Sequence, residues 1–179
     1  MSTAHPFQLA LYALLAGNTC YFAITGPWTK GLDSLAWFVL LMLFALETQD
    51  PAWLKRPHAR GTLHSLRIAA AAGIALSTIG YVRERDWLDA INISLWMLVV
   101  ALLECELRWT TLVAQRRRLF TAIAVILYAS IGALVPLWAW RGEWFDAYDA
   151  VLWLLAFALI EMDALKLARA PLAGSHGYE

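Results

Sequence analysis

Six apolar stretches, each close to the length of a bilayer-spanning helix, follow one another between Phe7 and Ala168. Roughly 20 consecutive apolar residues carry a helix across the hydrocarbon core. Only helices and closed barrels satisfy every peptide group there. A chain written this way is expected to be an all-α polytopic membrane protein, a single transmembrane domain over residues 1–179. Composition agrees: 61% of residues are hydrophobic and 16% charged, whereas soluble domains are nearer half apolar and a quarter charged.

The segments read as 7–25, 33–47, 63–82, 88–107, 119–140 and 145–168. Gly26, Pro27 and Gly31 mark a turn around Lys30, a polar loop covers 49–61, and Arg141-Gly142-Glu143 turns the chain before the last segment. Pro136 is expected to bend the fifth helix, and the tail from Pro171 is expected to fray. No Lys or Arg precedes Lys30, so the first segment reads as a mature helix rather than a cleavable signal. Ten of the fourteen basic residues fall in the loops after the second and fourth segments, at the C-terminal flank, or, for Arg67 and Lys166, in the helix ends adjoining them. The positive-inside rule then places both termini in the cytoplasm, in a bacterial inner membrane. Trp28, Trp87, Trp140 and Trp144 fall at the outer interface, and Trp53 and Trp109 at the inner one.

The segments pair into three tandem helical hairpins of about 57 residues, near 7–50, 63–108 and 119–168. Trp144-Phe-Asp-Ala ends in Ala-Leu-Ile-Glu161, and Trp87-Leu-Asp-Ala ends in Ala-Leu-Leu-Glu104, 57 positions earlier. A weaker copy runs from Trp28 to Glu47, with Asp33 near its start. The odd helices carry small residues such as Ala13, Gly17, Gly73, Ala129 and Gly132, which let membrane helices approach closely. Each even helix carries a mid-sequence tryptophan: Trp37, Trp96 and Trp153. A ring about a pseudo-threefold axis and a sequential row are both compatible with this pattern.

On helical wheels at about 100° per residue, each even helix has one stripe with Asp at its outer end, Trp within and Glu at its inner end. The candidate acids are Asp33, Asp89, Asp146, Asp149, Glu47, Glu104 and Glu161. Asn18, Asn92, Trp37, Trp96 and Trp153 are candidate polar or aromatic lining. Two rings of carboxylates would attract and dehydrate cations at the mouths of a path. The bland reading of the Asp set is N-capping of each even helix; that of the Glu set is a salt-bridged anchor, with Arg108 four residues after Glu104. Asp149 lies deeper than Asp146, and an intramembrane acid is a functional candidate. Such tryptophans more often pack than form a ligand cage, and Asn18-Thr19-Cys20 usually bond a neighbouring helix or their own backbone.

Other chemistries lack their residues. His5, His58, His64 and His176 lie at termini or near the inner interface, unsuited to buried haem ligation. Metalloprotease, hydrolase and Walker motifs are absent from the sequence. Asp86-x-x-Asp89 and Asp146-x-x-Asp149 hint at metal-binding lipid transferases, but the further acids such a site needs are missing, so the metal question stays open. Cys20 and Cys105 form no motif. No cofactor and no enzymatic activity are expected. Zero net charge leaves no nucleic-acid footprint. The expected partners are the bilayer, anionic lipid at the Arg116–Arg118 loop, and a second copy or another membrane protein. The function expected is a small permease or channel-like protein for a cation or small solute. The alternative is a non-catalytic subunit or scaffold of a membrane complex.

Overall fold

The computed structural model describes residues 6–48 and 57–169. Among them are seven helices and no strand: α1 Pro6–Thr25, α2 Trp28–Thr48, α3 Pro57–Glu84, α4 Trp87–Arg108, α5 Thr110–Gln115, α6 Arg117–Arg141 and α7 Trp144–Arg169. Five of these, α1 to α4 and α6, are long and apolar enough to cross a membrane. Six such segments were expected; the sixth is α7, whose side chains beyond residue 159 lie outside the described ones. The outward surface is apolar: Ile24 is 83% exposed and Ile126 63%. Only 17% of the apolar window of α6 is buried inside the protein. Large apolar patches facing outward mark a surface meant for lipid or a partner, and the chain is read as an integral membrane protein.

The helix limits differ from the sequence reading in three places. α2 begins five residues before Asp33, because Gly26 and Pro27 alone turn the chain. α3 begins within the expected polar loop, at Pro57, where proline suits a first helical turn. The expected basic loop contains the short helix α5. Pro136 sits inside an unbroken α6.

Each long helix that leads into a turn buries one stripe. In α1 it is Leu11, Leu15, Asn18 and Phe22; in α3, Ala70, Ile74, Ser77 and Tyr81; in α6, Leu127, Ile131, Leu134 and Trp138. The steps of four, three and four residues keep each stripe on one helix face. Packed on these stripes, α1 touches α2, α2 touches α3, α3 touches α4, α4 touches α6, α6 touches α7, and α7 returns to α1. The helices therefore close into a ring.

The small residues singled out from the sequence pack in α3 but make little of the packing in α1 and α6: Gly73 is buried, and a Cβ placed on it would meet Ala36 at 3.2 Å and Leu32 at 3.4 Å. Ala13, Gly17, Ala129 and Ala133 face outward, and nothing lies within 4 Å of a Cβ placed on Gly17 or Gly132. In α1 and α6 larger stripe residues fill the helix contacts instead. Close approach occurs at Gly31 on α2, where an added Cβ would lie 3.1 Å from the Ala23 Cα of α1, and at Gly80 on α3, where it would run into Thr29 and Trp28 of α2. The turns after α3 and α6 end the helices alike. Asp86 N–H donates to Tyr81 C=O at 2.9 Å, and Glu143 N–H to Trp138 C=O at 2.9 Å. Both are Schellman endings, which need a left-handed residue: Gly142 at φ 82° and Arg85 at φ 62°.

Candidate functional site

Trp28, Trp87 and Trp144 open α2, α4 and α7. Two residues after them come Lys30, Asp89 and Asp146; five after, Asp33, Asn92 and Asp149; nine after, Trp37, Trp96 and Trp153. On a helix these three steps lie within about a 60° arc and descend about 10 Å. A single inward face therefore presents them as three layers. Six residues before each leading tryptophan, the partner helices α1, α3 and α6 supply Phe22, Tyr81 and Trp138. All twelve side chains line one cavity of about 60 Å³, completed by Ser34, Ala150 and Phe157.

The outer layer is an ion-paired triad. Lys30 Nζ donates to Asp146 Oδ1 at 2.6 Å and lies 3.2 Å from Asp89 Oδ2. The second contact is Coulombic only, since that oxygen closes no hydrogen bond. The three side chains are 16%, 18% and 9% exposed in the order Lys30, Asp146, Asp89, so the cavity mouth lies at this end. Lys30 Nζ also stands 6.0 Å from the Phe22 ring centroid, within cation–π range.

The aromatic residues of the partner helices hold the acids. Trp138 Nε1–H donates to Asp89 Oδ1 at 3.2 Å, and Tyr81 Oη–H to Asp33 Oδ2 at 3.3 Å. Phe22 has no such donor, and Asp146 on α7 takes Lys30 instead. Deeper in, Asn18 Nδ2–H donates to Asp149 Oδ1 at 2.7 Å. Trp37 and Trp153 stand four residues after Asp33 and Asp149, one turn below them, and line the same cavity. Asp33 Oδ1 and Asn92 Oδ1 nevertheless close no hydrogen bond, and both are shut off from solvent.

The floor is aromatic. Trp37 and Trp96 are 6.4 Å apart between centroids, Trp96 and Phe157 4.5 Å, and Trp153 and Phe157 6.3 Å. One turn further in, buried Leu41, Val99 and Ala156 meet Leu15, Ile74 and Ile131 of the stripes. These apolar side chains shut the bundle below the cavity, which is accordingly a pocket open at one end.

Several expectations are corrected. Asp33, Asp89 and Asp146 are not N-caps: Asp89 and Asp146 are third residues of their helices, and Asp86, the N-cap of α4, makes no side-chain cap bond. Asp33 does not share a layer with Asp89 and Asp146. Lys30 does, because helix geometry fixes layers by distance from the turn, whatever the residue type. Nor is Lys30 a loop residue. The two carboxylate sets part company: Glu104 is exposed and does not line the cavity. The side chains of Glu47, Glu161 and Arg108 lie outside the described residues, as does Trp53. Asn18 and Thr19 bond neighbouring helices, Thr19 through Ser34 at 3.1 Å, while Cys20 is exposed and free.

Lys30, Phe22, Tyr81 and Trp138 were missed from sequence. A signal existed for two: Tyr81 and Trp138 are 57 apart, as are Trp87 and Trp144. Among the described residues no group of three or more His, Cys, Asp or Glu is arranged to hold a metal ion. Comparison with protein-family models, curated proteins and solved structures finds no match to this chain.

Proposed function

We propose that this protein is a small permease of the cytoplasmic membrane that takes up a cation or cationic solute through the pocket just described. It would cross the membrane six times, as three tandem hairpins with both termini cytoplasmic. The observation that carries the reading is a one-ended pocket, inside a closed ring of helices, where four carboxylates face a single ammonium. A carboxylate-lined recess with low-dielectric walls concentrates cations. An apolar plug below it supplies the barrier that an alternating-access carrier must open. With the termini inside, the mouth faces outward.

Support for three hairpins comes from the recurrence of whole layers. The intervals from Trp28 to Trp87 and from Trp87 to Trp144 are 59 and 57 residues, and the buried stripes and cavity layers keep both intervals. Internal repeats are a common way to build transport folds.

One observation favours a non-catalytic membrane subunit instead: Asp33, Asp89, Asp146 and Asp149 each have a protein partner already. The discriminating experiment is flux in proteoliposomes. The purified protein should accumulate a permeant cation against empty-liposome controls, and Asp149→Asn should abolish most of that flux while the protein still inserts and melts cooperatively. Absence of flux for inorganic and organic cations alike would leave the subunit reading standing.

A further inference from the structure

We infer that the cavity binds a small organic ammonium ion, a primary alkylamine in its protonated form, rather than a metal cation. This rests on the permease reading and names its substrate class. The first argument is that the outer layer already shows an ammonium held by this architecture. Lys30 Nζ sits between two carboxylates and against an aromatic face. The layer beneath repeats the arrangement with Asp33, Asn92 and Asp149 above the indoles of Trp37, Trp96 and Trp153. Among the described residues the cavity's one basic side chain is Lys30, and it is engaged in the outer layer.

The second argument is the set of unmatched groups. Asp33 Oδ1 and Asn92 Oδ1 are shut off from solvent and accept no hydrogen bond. Buried acceptors left unpaired are costly and call for a donor. A primary ammonium has three N–H donors, enough for both oxygens and the Asp149 carboxylate. Its alkyl tail would meet the indole faces, where cations and apolar groups are both favoured.

The third argument is against metals. Calcium takes about six to eight oxygen ligands and magnesium an octahedral set. The inner layer offers three oxygen-bearing side chains over a floor of carbon. The volume, about 60 Å³, matches about four to six water-sized particles, hence a cation of few heavy atoms.

The test uses purified full-length protein in detergent and propylammonium chloride as the probe. Propanol serves as the neutral control, and potassium and magnesium chloride as ionic controls. Propylammonium should raise the melting temperature saturably, with no comparable rise from the controls. Asp33→Asn, which is isosteric, should weaken the apparent affinity at least tenfold. Asn92→Asp, which completes a three-acid layer, should strengthen it; a merely structural Asn92 would not produce a gain. Equal shifts from potassium and propylammonium, or affinity indifferent to both substitutions, would overturn the inference. Binding without flux would keep the ligand class and remove the transport reading. Flux of an inorganic cation without propylammonium binding would do the reverse.

Discussion

Replacing Lys30 by methionine tests the electrostatics of the whole pocket. The Lys30 ammonium lies 2.6 Å from Asp146 and 3.2 Å from Asp89, so the two carboxylates stand within about 6 Å of each other. Without the ammonium, two like charges at that separation repel by about 3 kcal/mol at an effective dielectric of about 20. Stripping one partner from a buried pair costs about 3–5 kcal/mol by mutational experience. Asp89, 9% exposed, is too buried for water to relieve it fully, whereas Asp146 at 18% regains some hydration. Lys30→Met should therefore destabilise by about 3 kcal/mol, the lower end of that range. The assay is a thermal or denaturant melt in detergent, with Lys30→Met/Asp89→Asn/Asp146→Asn alongside. The triple variant should recover most of the loss, because its neutral side chains no longer need a counter-charge. A single variant costing under about 1 kcal/mol, or a triple variant no better than the single, would refute the triad as an interacting unit.

Four further outcomes follow from the same geometry. Gly80→Ala should destabilise by about 1–3 kcal/mol, since the new methyl meets Thr29, 0% exposed and unable to yield; melts compare it with Gly17→Ala. That second change meets nothing within 4 Å and should stabilise by about 0.5–1 kcal/mol. Arg85→Gly should also raise the melting temperature, by about 0.5–1 kcal/mol in stability, because Arg85 holds φ 62°; an unchanged melt would mean the turn relaxes elsewhere. Glu104→Gln, at an exposed site away from the cavity, should change stability by less than about 1 kcal/mol and leave cation flux intact in proteoliposomes, whereas Asp149→Asn should not.

Much of the site's membership was legible before any fold. Asp33, Asp89, Asp146, Asp149, Asn92, Trp37, Trp96 and Trp153 all line one cavity, because a helix converts steps of three and seven residues into a single face. Asn18 reaches the same site from α1. What misled was aligning like with like. Matching Asp33 to Asp89 hid the equivalence of Lys30 with the two acids, since a lysine in the first turn of an apolar helix looks like a topology signal. Small residues misled in α1 and α6, though not in α3, for a related reason: a glycine on a wheel does not say whether a neighbour or lipid lies beside it.

The sequence by itself determined what local chemistry can determine: the apolar helices, their spacing, and which residues share a face. Periodicity and hydropathy are properties of one helix and its solvent. Which faces meet was decided by the tertiary structure. The contact of α7 with α1 closes the ring, and residues 59 and 116 positions from Lys30 become its carboxylate partners. Tyr81 and Trp138, 48 and 49 positions from their acids, acquire a polar task only across a helix interface. Pairings at such distances depend on how whole stripes interlock, and no single segment encodes that.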